Sequence, residues 1–170
     1  MKKIKILIPV YNDWQSVFKL LENINSKVST IDCEFSVIII NDASTESRPE
    51  LLADLRNLKS GEIINMKENR GHARCIAAGL KHINETKDFD YVIPMDGDGQ
   101  DKPEELSLLI EKIRDYPEAV VTADRVKRPE GFTFKFCYST HKLLTFIFTG
   151  QTIKYGNYTC LPKSTVNEMI

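Results

Sequence analysis

A chain of 170 residues with a formal charge of -1 is long enough for one well-cored domain and carries no basic excess, which excludes a surface built to neutralise nucleic-acid phosphates. The four cysteines, Cys33, Cys75, Cys137 and Cys160, form no C-x-x-C pair. Zinc and thioredoxin-type chemistry are therefore unsupported, and reduced, mostly buried thiols in a cytoplasmic protein are expected.

The opening MKKIKILIPVYND has lysines before an apolar run, as a signal peptide would, but the run is short and polar residues return at once, so it reads as a first strand over 4–10. Trp14, Val17, Phe18, Leu21 and Ile24 recur at intervals of three and four and predict a one-sided helix. FSVIII (35–40) and EIINM (62–66) predict the next strands. In NRGHARCIAAGLKH (69–82), Gly71, Cys75, Ala78 and Gly79 put small residues on one helical face that can approach a sheet closely. YVIPM (91–95) predicts a fourth strand, and Pro103, Glu104 and Glu105 suit the first turn of a helix continued by Leu106, Leu109, Ile110 and Ile113. AVVTA (119–123) predicts a fifth strand, after which RVKRPEGFTFKFCYSTHKLLTFIF mixes basic residues with closely spaced aromatics. No apolar run approaches the roughly 20 residues of a membrane span. Strands alternating with helices, several apolar on consecutive positions, predict an α/β fold with a mostly parallel central sheet and helices on both faces.

Ligands of an open parallel sheet gather at the carboxyl ends of its strands. Those ends here are PVYN (Pro9 to Asn12), NDAS (Asn41 to Ser44), ENRG (Glu68 to Gly71) and MDGDGQD (Met95 to Asp101). Three aspartates at one strand exit call for solvent, cations or a metal, since an unpartnered buried carboxylate is costly. Asp96 and Asp98 point to one side only if the backbone bends, which Gly97 and Gly99 allow. Two hard oxygen ligands so spaced suit Mg²⁺ or Mn²⁺ held together with substrate phosphates. An EF-hand loop also begins D-x-D, but Gln100, Asp101 and Ser107 stand where it needs Asp or Asn, Gly and an acid. Neither G-x-G-x-x-G nor G-x-x-x-x-G-K is present. Singly, each motif also has a plain structural use: a turn and N-cap for Tyr11 and Asn12, a helix entry for Asp42 and Ser44, a solvated loop for Arg70.

In order and spacing, IPVYN, NDAS, ENRGHARCIAAGL and DGDGQDKPEE resemble the inverting family 2 glycosyltransferases, whose fold is the GT-A nucleotide-diphospho-sugar transferase fold. The D-x-D-x-Q-D-x-P-E form is most similar to the branch that glycosylates polyprenyl phosphates, the dolichyl-phosphate mannose synthase and undecaprenyl-phosphate sugar transferase group. The resemblance spans nearly the whole chain, because RVKR (125–128), the aromatic stretch and GNYTCLPKSTV (156–166) fall where that branch has a basic loop, an amphipathic helix and a further strand. It implies a nucleotide-sugar set of Pro9, Tyr11, Asn12, Asp42, Ser44, Arg70 and Asp96. Tyr11 and Asp42 would border the base, Pro9 would shape the turn beneath it, and Arg70 would lie near the base or diphosphate. Asp96 would face the ribose or the metal and Asp98 would ligate the metal. Gln100 and Asp101 would lie on the sugar and acceptor side, and Arg125 and Arg128 would contact the acceptor phosphate or the leaving diphosphate.

The last segment departs from the branch, with Asn157 where part of it has Asp and Thr159 where Arg is frequent. The family supplies its base well downstream of the D-x-D. The resemblance therefore implies a single catalytic domain truncated at its C-terminus, with a nucleotide-sugar half at 1–101 and the start of an acceptor half at 102–170. A lipid phosphate is already anionic and needs little general base, so Asn157 suits it. The expected reaction is metal-dependent transfer, with inversion, from a UDP- or GDP-sugar to a polyprenyl phosphate, in the cytoplasm or at the inner membrane face. The aromatics between 132 and 148, with Lys135, His141 and Lys142, suit either core packing or a bilayer interface. The rivals are a family 2 enzyme acting on a cell-envelope saccharide and a nucleotide-sugar-binding module without catalysis. A pyrophosphorylase of the same fold type would need a G-x-G-x-R loop after the first strand, which is absent.

Overall fold

Side-chain alternation along the central strands decides which helices lie on which face. In β1 (Lys2–Val10), Ile4, Ile6, Ile8 and Val10 enter one buried cluster while Leu7 enters another. In β2 (Cys33–Asn41), Phe35, Val37 and Ile39 join the first and Ile38 and Ile40 the second. Helices α1 (Trp14–Val28) and α3 (Leu106–Asp115) complete the first cluster, and α2 (His72–Thr86) completes the second together with Val166 of α4 (Lys163–Met169). Both faces of the sheet are thus covered, as the continuous apolar runs require. Ile4, Ile6, Leu7 and Ile8 are all 0% exposed, and burying side chains of this size is worth about 1.5–3 kcal/mol each, which makes β1 the axis of the core.

The computed structural model describes residues 1–47, 55–123 and 158–170. The expected aromatic stretch, Arg125, Arg128 and Asn157 lie outside the described residues. The described residues form one compact unit. With β3 (Ser60–Asn65), β4 (Tyr91–Pro94), β5 (Val121–Thr122) and β6 (Thr159–Pro162), its sheet runs β3-β2-β1-β4-β6-β5. The first four strands are mutually parallel, and β6 runs antiparallel to both its neighbours. The sheet is mostly parallel, as predicted. Among the described residues the one reversed strand comes from the chain's last segment.

Local chemistry adjusts several boundaries. Strand β1 begins at Lys2 although Lys2, Lys3 and Lys5 are charged. Lys5 is buried and donates from Nζ to Ser36 Oγ at 3.2 Å, and burial lowers its pKa. The N-cap of α1 is Asp13, whose Oδ1 accepts the Ser16 N–H at 3.3 Å; Tyr11 and Asn12 are left outside the helix. Pro103–Glu105 form a single 3-10 turn before α3. On α2, a Cβ built at Gly79 would lie 2.3 Å from Leu7 Cδ1, so the small-residue face does lie close against the sheet.

Candidate active site

Sheet hydrogen bonding continues past the strand ends: Asp42 N donates to Val10 O at 2.8 Å, Met66 N to Asn41 O at 2.8 Å and Met95 N to Leu7 O at 2.9 Å. Four strand exits consequently leave the same edge of the sheet, the edge where open α/β folds hold ligands.

The exits of β1 and β2 are tied to each other. Asn12, at φ 53, donates its N–H to Ser44 Oγ at 2.9 Å, and its Oδ1 accepts the N–H groups of Thr45 at 2.8 Å and Glu46 at 3.1 Å. Ser44 N in turn donates to Asn41 Oδ1 at 3.0 Å. Asn12 and Ser44 thereby build the loop that Tyr11 stands on, with Tyr11 itself 49% exposed.

Asp42 is 4% exposed and joins the exit of β2 to the start of α2. Its Oδ1 accepts the Arg70 N–H at 2.7 Å and its Oδ2 the Gly71 N–H at 2.8 Å. Gly71, the N-cap of α2, sits at φ 84 and has no side chain to cap the first turn, while Asp42 satisfies the N–H of Gly71 itself and that of Arg70 before it. Burial alone would raise the Asp42 carboxyl, but these two N–H groups and the Cys75 thiol hold it below the usual carboxylate range. The same burial and the same carboxylate push Cys75 up to about 12. Arg70 is fixed through its main chain, while its guanidinium, about half exposed, pairs with Glu68.

The acidic loop follows β4. Asp101 is 2% exposed, and its Oδ2 accepts the Asp96 N–H at 2.9 Å, closing the loop from within. A Cβ at Gly97 would meet Val17 Cγ2 at 2.9 Å and Pro9 O at 3.2 Å, and Gly99 has φ +76, so the two glycines serve different needs. Beneath the loop's end, the buried Tyr158 donates its hydroxyl to Lys102 O at 3.2 Å, and burial raises its pKa. Asp98 and Gln100 are exposed; Asp98 accepts Gln100 N at 2.9 Å and Gln100 Nε2 at 2.7 Å. Asp96 is partly exposed, and its Oδ1 lies 2.9 Å from His72 Nε2.

Among the described residues no group of three or more His, Cys, Asp or Glu forms a cage for a metal. Two carboxylates on one bent loop fit a hard cation that takes its remaining ligands from substrate phosphates and water, which is the habit of Mg²⁺. The sheet edge therefore assembles Pro9, Tyr11, Asn12, Asp42, Ser44, Arg70, Asp96, Asp98, Gln100 and Asp101. Of these, Asp101 faces inward and Asp42 already holds two main-chain donors. His72 was not among the residues singled out by sequence, although it stands inside the stretch ENRGHARC. Its one signal is its place directly after Gly71, at the start of a helix aimed at this edge.

The model of the glycosyl transferase family 2 matches residues 5–165. The chain belongs to this family. One curated relative of this family 2 chain is the undecaprenyl-phosphate 4-deoxy-4-formamido-L-arabinose transferase of Klebsiella pneumoniae (strain 342), 27% identical over 164 residues that make up 95% of this chain and 48% of the relative. The family 2 chain thus spans about half the length of the curated relative it matches. Among solved structures, S. aureus TarS 1-349 in complex with UDP aligns with 98% of this chain and 48% of its own at 18% identity and a TM-score of 0.60. Mannosyl-3-phosphoglycerate synthase from Rubrobacter xylanophilus aligns with 95% of this chain and 53% of its own at 13% identity and a TM-score of 0.68. The fold of this family 2 chain is accordingly the GT-A glycosyltransferase fold.

Proposed function

We propose that this chain forms the donor-binding part of a metal-dependent, inverting glycosyltransferase that moves a sugar from a UDP- or GDP-sugar to a polyprenyl phosphate. The observation that carries it is the convergence of four strand exits on one edge, with Asp96 and Asp98 on a loop that two glycines bend. Tyr11 and the Asp42 loop would border the base, and Arg70 the base or diphosphate. Asp96 and Asp98 would hold Mg²⁺ or Mn²⁺, which when bound would neutralise the charge that grows on the departing nucleoside diphosphate.

The buried Asp101 supports this arrangement by fixing the Asp96 main chain, and Gln100 would meet the sugar from the loop's exposed side. Arg125 and Arg128 would contact the acceptor phosphate or the leaving group. A lipid phosphate arrives already ionised, so attack on the anomeric carbon needs little proton removal. The curated relative acts on an undecaprenyl phosphate by its name, which favours this acceptor class over a saccharide. Among the described residues no helix is long and apolar enough to cross a membrane. A peripheral position on the cytoplasmic membrane surface would bring the site to such an acceptor.

A thermal-shift titration with UDP and GDP, each with and without Mn²⁺, tests the donor site. Stabilisation by one nucleotide only in the presence of the metal is the expected result, and UDP is the first choice because TarS 1-349 binds it. No shift with either nucleotide at millimolar concentration refutes the donor site. Sugar transfer to a cell-envelope saccharide and none to polyprenyl phosphate, by a chain that carries the acceptor half as well, refutes the acceptor.

A further inference from the structure

We propose, resting on the donor site argued above, that His72 is a positioning residue for Asp96 and through it for the divalent cation. His72 is the first residue of α2, and its Nε2 lies 2.9 Å from Asp96 Oδ1. An ionised carboxylate can only accept, so the imidazole donates from Nε2 and fixes the plane of the Asp96 carboxylate.

Both ends of this pair are anchored by other carboxylates that are nearly out of solvent. On the histidine side, Asp42 holds the main chain of Arg70 and Gly71 at 2.7 and 2.8 Å, immediately before His72. On the other side, Asp101 holds the Asp96 N–H at 2.9 Å. Asp42 and Asp101 are 4% and 2% exposed. The contact between them is different in kind, because the His72 side chain is 52% exposed and that of Asp96 22%. A pair this open to solvent adds little to folding stability. Its consequence is directional: it joins the exit of β2, through the start of α2, to the loop that follows β4. Hydrogen bonds from outer residues to metal-binding side chains orient them, and losing one typically weakens metal affinity by about 10–100-fold.

The test uses the chain with His72→Leu, which cannot donate, and His72→Gln, whose amide can. Free Mn²⁺ is followed by electron paramagnetic resonance during titration in the presence of saturating UDP, or GDP if that nucleotide gives the thermal shift. The ligand-free melting temperature is measured alongside. The expected result is an Mn²⁺ affinity weakened about tenfold in His72→Leu. His72→Gln should retain most of the affinity, with the ligand-free melting temperature unchanged in both. Unchanged Mn²⁺ affinity in His72→Leu overturns the positioning role, as does equal weakness of the two variants, or a loss of melting temperature that tracks the loss of metal. In each of those cases the wild type still binds nucleotide with metal, so the donor site stands. If the wild type binds no Mn²⁺ with either nucleotide, the donor site falls and the role of His72 falls with it.

Discussion

Replacing Asp42 by asparagine keeps the shape of the side chain and removes its charge and one of its two acceptors. The Arg70 and Gly71 N–H groups, at 2.7 and 2.8 Å, both donate to this carboxylate, and only one of them can be satisfied by an amide oxygen. The other would face an NH₂ group in a site that is 4% exposed. A hydrogen bond to a charged group contributes about 1.5–3 kcal/mol, and a buried donor left unpaired costs about 1–3 kcal/mol. Asp42→Asn should therefore destabilise the fold by about 3 kcal/mol or more. Urea unfolding at pH 7 without nucleotide reads this as a lower midpoint at unchanged slope.

The pH dependence supplies an independent check. Asp42 has its pKa depressed in the fold from an unfolded value of 3.8, so its contribution is fully present above that value and is lost as pH falls through the folded one. The gap between wild type and variant should stay constant at neutral pH and narrow in acid. A gap under about 1 kcal/mol at pH 7 would refute the assignment, because it would fall below the value of even one such bond.

Asp98→Ala should abolish the metal-dependent thermal shift with nucleotide and leave the ligand-free melting temperature nearly unchanged, since Asp98 is exposed and bonds to Gln100 two positions on; full retention of the shift would remove Asp98 from the metal site. Gly97→Ala should cost about 1–3 kcal/mol in urea unfolding through overpacking against Val17 and the Pro9 carbonyl. Gly99→Ala meets no neighbour and should cost only the left-handed backbone penalty of about 1–2 kcal/mol. Cys33, Cys75 and Cys160 should resist iodoacetamide at pH 8 and react in urea, because all three are buried and burial leads the causes that raise Cys33 and push the other two up to about 12. Peptide mapping reads each site, and native-state labelling of Cys75 at the unfolded rate would contradict its bond to Asp42.

The strands are legible in sequence where both faces are buried, because β1, β2 and β4 then show consecutive apolar residues such as Ile6, Leu7 and Ile8. Lys2 and Lys3 hide the true start of β1, which lies two residues before the predicted one, while Lys5 within the strand bonds to Ser36 on the neighbouring strand. The edge strand β5 is only Val121–Thr122, in register with Cys160 and Thr159, and Ala123 continues the pairing by donating its N–H to Tyr158 O at 2.9 Å. Motif order places the candidate residues on one edge of the sheet, yet it cannot say which carboxylates face inward. Asp101 reads like a ligand until its bond to the Asp96 N–H is seen, and Asp42 holds the main chain just ahead of a helix that starts well beyond it in the chain. His72 looks like a solvated helical residue, and nothing in the sequence tells that the start of α2 lies beside the loop after β4, where its Nε2 meets Asp96.

The reversed strand β6 sits between β4 and β5, although it is made after both of them. During synthesis, the half of the chain that carries every described strand-exit residue emerges first, yet the main-chain groups of Tyr91 and Val92 must wait for Pro162 and Leu161. Until then β4 is an open edge, and such edges recruit wrong partners. Tyr158, which braces the end of the acidic loop at Lys102, arrives with that same late segment. The aspartates of the candidate site are therefore early in the message and the strand beside β4 is late, and a ribosome-stalled chain that has not yet released residue 158 would carry those aspartates with Tyr91 and Val92 not yet paired by β6.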